Sequence, residues 1–492
     1  HLRPASVSLP LYQYLLLDVI ILLLSPFLIF FCLAKFIFYK TEMKSLNLVL
    51  LCLLLARSAG SARILVMQVS VSKSHSAIME PLFEELAARG HQLTVYTSSP
   101  HKFAIPNMRE IDLSHNWRPV VSNFSLDFIK QVMPDPFRTP FPMADLELLM
   151  CENVLSGHQI QSLLVSDSKF DLVITETFTV DCFVPLARKF QAPLISFVTS
   201  NILPWGSDRV GLPDNPAYIP NYLSNLSTNM TLFQRIYNSV VLTFAKFVQQ
   251  YYAMSQSQNL VSKYFSSSNP PLSELVANTS LLFVNSHFSL GISRPVTSNV
   301  VEIGGIHMRE ISSQLPMDLQ QILDQSSQGV VVVSFGSVIR ISSLPRHMIS
   351  MFLQAFSTVS QTIIFKYEDD LPEAPPNVVI RKWIPQQEII GHKNVKAFLN
   401  HGGMGSIIES VYYSKPIIGI PFFADQYLNV KALATRGAGI LLDLDTLSEK
   451  SIRTAINNVL NDSSYTENMK KISEQFRDRP MTPLQTAVYW TE

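Results

Sequence analysis

Between positions 383 and 426 the chain carries Trp383-Ile-Pro-Gln386, then His401-Gly402-Gly403-Met404-Gly405-Ser406-Ile-Ile-Glu409, then Pro421-Phe-Phe-Ala-Asp425-Gln426. These are the residue types needed to grip a base, a ribose, a pyrophosphate and a sugar. An indole can stack on a base. Glycines let backbone N–H groups approach an anion, and a helix N-terminus favours negative charge. His401 and Ser406 can add direct hydrogen bonds to phosphate oxygens. Glu409 lies one turn further on and can accept from ribose hydroxyls, as acidic residues do in dinucleotide sites. A carboxylate beside an amide at 425–426 suits a hydroxyl-rich ligand.

The surrounding pattern says how these groups must be held. Val395–Leu399 reads as a short buried strand, and the residues from Ser406 to Tyr413 repeat apolar side chains at helical spacing. The glycines therefore join a strand to a helix start. Trp383 follows the apolar run Val378–Ile380, where an indole is also a common core residue. Asp425 and Gln426 follow the apolar run Pro416–Phe423. Ligands of open α/β sheets bind at such carboxyl ends of strands.

The N-terminal half opens in the same way. Arg63–Val69 reads as a buried parallel strand. A Ser/Lys/His loop follows, then a helix through Met79 that Gly90 stops, then a strand at Leu93–Tyr96. This is a βαβ unit. His75 stands in its first strand-to-helix loop, and a neutral imidazole there could take a proton from a hydroxyl. His91, just after the helix stop, reads as structural. Such a base works best with an orienting carboxylate. Two compete: Glu176, at the end of the strand from Phe170, and Asp181, five residues on. The one not used is expected to be a solvated loop carboxylate.

The chain resembles the UDP-glycosyltransferases, the membrane-associated animal family that conjugates small lipophiles. The W-x-P-Q, H-G-G-x-x-S-x-x-E and P-x-x-x-D-Q segments carry the resemblance, which runs from about Arg63 to the end. It implies a GT-B type α/β fold, two Rossmann-like domains facing across a cleft. It implies that Trp383 stacks on uracil and that Gln386 helps bind the uridine. His401, Gly403 and Ser406 would hold the pyrophosphate, with Ser337 of Phe335-Gly336-Ser337 close by. Glu409 would bind ribose, and Asp425 and Gln426 the transferred sugar. His75 would be the catalytic base, with Glu176 or Asp181 behind it. Asn400 and Gly405 depart from the family pattern, and Gly405 removes a side chain that could bond a phosphate. The UDP-sugar is a co-substrate, and no resident cofactor is implied. Glucose is favoured because the chain looks most like invertebrate members; glucuronic acid is the alternative. The apolar region 200–265, with an amphipathic helix over Leu232–Tyr252, would supply the pocket for a small lipophilic acceptor. The rival reading is a catalytically weak UDP-sugar- or lipophile-binding membrane protein, and association with other family members is a further possibility.

Composition bounds the rest. Lys+Arg and Asp+Glu are both 38 in 492 residues, so the net charge is zero, and no basic footprint for nucleic acid is present. No metal site is expected: Cys and His are too scattered, and Asp443-Leu-Asp445 supplies too few ligands and reads as a helix start. Cys32 and Cys52 fall in apolar leaders, so Cys151 and Cys182 are the pair free to form a disulfide. N-x-S/T sequons stand at Asn123, Asn225, Asn229, Asn278 and Asn461.

Leu15–Ala34 is long and apolar enough for a membrane helix, and Lys35 and Lys40 place its following flank in the cytosol. Residues 43–62 read as a signal peptide. Residues 1–42 resemble the C-terminal membrane tail of a second family member. The expectation is either a fusion of two tandem copies or an N-terminal anchor. The remaining boundaries are read as 63–295 for the acceptor domain, 296–480 for the UDP-sugar domain and 481–492 for a returning helix. The body is expected in the lumen of the endoplasmic reticulum, tied to its membrane.

Overall fold

Short runs of β-branched residues, apolar on both faces, fold here as the strands of two parallel sheets, as buried parallel strands require. Val330-Val-Val-Val-Ser334 is the extreme case, with every residue buried. The computed structural model describes residues 60–492 except 122–123, 134, 266–268, 292 and 310–314. The apolar run 15–34, the tail-like residues 1–42, nearly all of the leader at 43–62 and the sequon at Asn123 lie outside the described residues. Among the described residues no helix is long and apolar enough to cross a membrane.

The first sheet contains β1 (Arg63–Gln68), β2 (Gln92–Thr97), β3 (Met108–Asp112), β4 (Leu172–Glu176), β5 (Leu194–Val198), β6 (Leu281–Val284) and β7 (Val300–Glu302). Its order is β3-β2-β1-β4-β5-β6-β7, all parallel. The second contains β8 (Val330–Ser334), β9 (Thr362–Lys366), β10 (Val378–Arg381), β11 (Val395–Asn400), β12 (Ile417–Gly419) and β13 (Gly439–Leu441). Its order is β10-β9-β8-β11-β12-β13, again all parallel. Both are doubly wound, and each reverses direction next to its first strand: between β1 and β4, and between β8 and β11. Such switch points open the crevices in which α/β sheets hold ligands.

Helices cover both faces of each sheet. On the first sheet, Ile64, Val66 and Phe197 meet Leu82 and Phe83 on one side. Leu65, Met67 and Val173 meet Cys151 and Val154 on the other. The final helix, Pro483–Thr491, starts at a Thr482 capping box and buries Ala487 and Val488 in the first of these clusters. Glu492 then reaches Arg89 at 3.3 Å and His91 at 3.2 Å. His91 is also tied to the Ala62 amide.

Two elements differ from the sequence reading. The first sheet runs past the boundary set at 295/296, because β7 pairs with β6. The polar stretch from Ser293 to Asn299 is the β6–β7 connection rather than the link between domains. The helix expected from Met79 begins at Lys73, so His75 sits in its first turn and not in a loop. Ser72, extended, ends the loop one residue earlier.

Candidate active site

The second-sheet switch point gathers most of the predicted donor residues. β11 ends at Asn400, whose Oδ1 accepts from the Gly402 amide at 2.8 Å. Gly402 has φ +87°, and a Cβ there would meet Val430 at 2.5 Å and the Gln426 carbonyl at 2.7 Å. The helix Met404–Tyr412 follows directly, with Gly403 as its N-cap. Cβ atoms at Gly336, in the turn after β8, and at Gly403 would each fall 2.6 Å from the His401 ring. The imidazole is therefore clasped between two glycines. Burial and the nearby Lys366 charge pull its pKa down to about 4, so it is neutral at pH 7. His401 Nδ1 and Ser337 Oγ are both buried with no protein partner among the described residues. A buried polar atom without a partner is costly and calls for an explanation, and bonds to a phosphate would supply one here.

Around this loop stand the others. Gln386 Nε2 donates to Ser406 Oγ at 3.2 Å and to Glu409 Oε2 at 2.6 Å. Burial, working against the Gln386 bond, lifts Glu409 to about 7. Trp383 is 55% exposed, so it stands at the surface rather than in the core its position allowed. Lys73 and Lys366 place their ammonium groups 5.6 and 5.5 Å from its ring centre. Gln426 Oε1 accepts from the Phe422 and Phe423 amides, which fixes its side chain. Burial raises Asp425 to about 6, although the Asn429 bond and the His75 charge pull the other way. Asp445 is engaged by Lys130 at 3.0 Å.

The first-sheet switch point carries the remaining predicted groups. His75 Nδ1 lies 2.7 Å from Glu176 Oε1. A carboxylate only accepts, so Nδ1 carries the proton and Nε2 is left as the free base. Glu176 is held in turn by Thr199 Oγ1 at 3.1 Å and by Ser70 Oγ. Burial alone would lower the His75 pKa. The charge and hydrogen bond of Glu176, then the charges of Glu147 and Asp425, more than offset it and hold the imidazole above its ordinary value. Asp181 is elsewhere. It is buried against the Arg209 guanidinium, which also bonds Thr177 and Ser196. The two carboxylates thus divide differently from the sequence reading: neither is a solvated loop acid, and Asp181 is spent on an internal ion pair.

Several contributors gave little or no sequence signal. Glu147 lines the same small space as His75 and Glu176, a cavity of about 20 Å³. Its Oε2 accepts from the Thr179 and Val180 amides at 2.9 and 3.0 Å, yet burial still pushes its pKa up to about 8. An acid alone in the apolar run Leu146–Cys151 was the available hint. A larger cavity of about 300 Å³, bounded by Leu203, Trp205, Met254 and Val276 on one part and by Asp208, Arg209 and Lys246 on another, shares Phe178 with it. A disulfide joins Cys151 to Cys182 and ties the helix Pro140–Leu155 to the loop behind Glu176. Lys366, buried, donates to the Gly336 carbonyl at 2.8 Å.

Two doubly wound parallel domains with facing switch points define a GT-B glycosyltransferase fold. Solved structures agree. The glycotransferase of kitacinnamycin is similar over 88% of this chain and 98% of its own, with TM-score 0.60 and 17% identity. Os79 of O. sativa, solved with UDP, is similar over 87% and 98%, with TM-score 0.57 and 15% identity. In sequence, the profile of the family described as "UDP-glucoronosyl and UDP-glucosyl transferase" matches residues 62–492. UDP-glucosyltransferase 2 of Dactylopius coccus is 40% identical over 92% of this chain and 87% of its own. A UDP-glucuronosyltransferase of Macaca mulatta is 29% identical over 85% and 82%. The chain belongs to this family, and it is a UDP-glycosyltransferase that moves a sugar from a UDP-sugar to an acceptor.

Proposed function

We propose that the chain transfers glucose from UDP-glucose to a hydroxyl of a small lipophilic acceptor, with inversion and without a metal. The observation that carries this reading is the His75–Glu176 pair at one switch point, within electrostatic reach of Asp425 at the other. His75 Nε2 takes the acceptor proton as its oxygen attacks the anomeric carbon from the face opposite UDP. Glu176 holds the tautomer and stabilises the imidazolium that forms. The first turn of Met404–Tyr412, with His401, Ser406 and Ser337, stabilises charge building on the departing pyrophosphate. Trp383, Gln386 and Glu409 hold the uridine, and Asp425 and Gln426 the sugar.

Two facts favour glucose over glucuronic acid. Glu176 and Asp425 stand around His75, and a uronate carboxylate would be repelled there. The relative at 40% identity is also a glucosyltransferase. The 300 Å³ cavity beside Phe178 is of the size that takes a small ligand, with an apolar part at Leu203, Trp205, Met254 and Val276. The test is UDP release from UDP-glucose and UDP-glucuronate over a panel of phenols and steroids, beside His75→Ala. Acceptor-dependent release from UDP-glucose that vanishes in the variant is expected. UDP binding without release would replace the reading with that of a binding protein.

We propose further that the body works in the secretory lumen against a membrane. The disulfide suits an oxidising compartment, and the sequon residues Asn225, Asn229, Asn278 and Asn461 are exposed. Leu232, Phe233, Ile236, Val240, Phe247 and Tyr251 form an exposed apolar stripe along one helix and its continuation, and membrane surfaces take such stripes. A glycosidase-sensitive mass shift in the membrane fraction is expected; unglycosylated protein in the soluble fraction would overturn this.

A further inference from the structure

Asn429, in the helix Gln426–Ala434 and buried, makes three bonds with one amide. Its Nδ2 donates to the Gly402 carbonyl at 3.0 Å, in the phosphate loop, and to Asp425 Oδ2 at 2.8 Å, in the sugar position. Both of those partners can only accept, so the Asn429 oxygen must face the other way. There it meets Asn201 Nδ2 at 2.9 Å, across the cleft. Asn201 belongs to the loop after β5. Two residues earlier in that loop, Thr199 Oγ1 holds the same Glu176 oxygen that faces His75. The loop is itself fixed by Asn285, which donates to the Thr199 carbonyl at 2.9 Å. One short segment thus touches the base pair with one side chain and the donor half with another.

We propose that Asn201 and Asn429 form a clamp that couples the seating of the donor half to the alignment of the His75–Glu176 pair. This rests on the transferase reading above. Neither residue meets the reacting atoms; both are positioning residues. Asn429 holds Asp425 and the phosphate loop in one geometry, and Asn201 registers that geometry on the other domain. Sugar transfer to the acceptor hydroxyl then proceeds only with the donor half docked, which limits loss of the sugar to water.

The bond polarity makes the clamp testable. Asn201→Leu removes a donor and is expected to lower kcat about fivefold, the scale of one neutral hydrogen bond, while UDP affinity by calorimetry stays within twofold. Asn201→Asp sets an acceptor against the Asn429 oxygen and is expected to cost more than the Leu variant, at least tenfold. Asn429→Leu is expected to weaken UDP binding as well, because it also frees Gly402 and Asp425. In the Asn429→Leu background, Asn201→Leu should cost nothing further. Additive losses, equal losses in the Asp and Leu variants, or losses that only follow Tm would overturn the clamp. Wild-type protein that releases no UDP overturns the transferase reading and the clamp with it; wild-type turnover with additive variants overturns the clamp alone.

Discussion

The base proposed at His75 works only when the imidazole is neutral, and its neighbours oppose that. Glu176, Glu147 and Asp425 favour its charged form and hold its pKa above the ordinary value, near 6.5 for a free imidazole. As pH falls through that raised value the base is lost. The acid limb of kcat/KM is therefore expected above 6.5. Glu176→Gln removes the largest favourable charge, so it should move that limb down while costing roughly a hundredfold in rate through lost orientation. An unmoved limb would assign it to another group. At the other domain, Gly405 occupies the second position of the helix Met404–Tyr412, proposed above to hold the pyrophosphate, and a Cβ there meets nothing within 4 Å. Gly405→Asn should be accepted without strain and should add a donor beside the pyrophosphate. About a fivefold fall in the UDP-glucose KM is expected, the scale of one hydrogen bond; an unchanged KM would mean that the side chain points away from the donor.

At the scale of elements, the strand–loop–helix unit around His401 was legible because its signals agree: a β-branched run, glycines, then helical spacing. The pairing of His75 with Glu176 rather than Asp181 was not. Glu176 ends β4 and Asp181 lies five residues on, and the choice rests on where the chain turns and on Arg209 reaching in to claim Asp181. The misplaced domain boundary has a similar cause, since a polar β6–β7 connection looks the same as a linker until its strand finds a partner. Asn201 and Asn429 sit 228 residues apart, and no local pattern links them. Pairing of Cys151 with Cys182 was open in the sequence, because two cysteines do not specify a bond. The bridge closes a separation of 31 residues, for which the loss of chain entropy corresponds to about 3–4 kcal/mol. Cys151→Ser with Cys182→Ser should lower stability by that order in denaturant. It should also raise the acceptor KM more than the donor KM, because Cys182 lines the His75 cavity. An equal rise in both would remove the bridge from the acceptor site.

At the scale of the molecule, the domains are joined by more than the linker after β7. Phe124 of the first domain forms a parallel bridge with Ile339 of the second, with Arg340 N donating to its carbonyl at 3.0 Å. The helix that follows, Leu126–Val132, buries Leu126 and Ile129 inside the second domain's core beside Val333, Phe335 and Ile339. Lys130 then pairs with Asp445, but that pair is exposed and contributes little. The energy lies in the two apolar side chains. Truncating a buried Leu or Ile to Ala costs roughly 2–5 kcal/mol, and here that loss falls on the contact between domains rather than within either. The wild-type body should therefore melt in one transition. Leu126→Ala combined with Ile129→Ala should separate it into two, with the second sheet's amides gaining little added exchange below the first transition. A single, merely lowered transition in the double variant would mean that the cleft contacts, Asn201–Asn429 among them, are enough to hold the two halves as one cooperative unit.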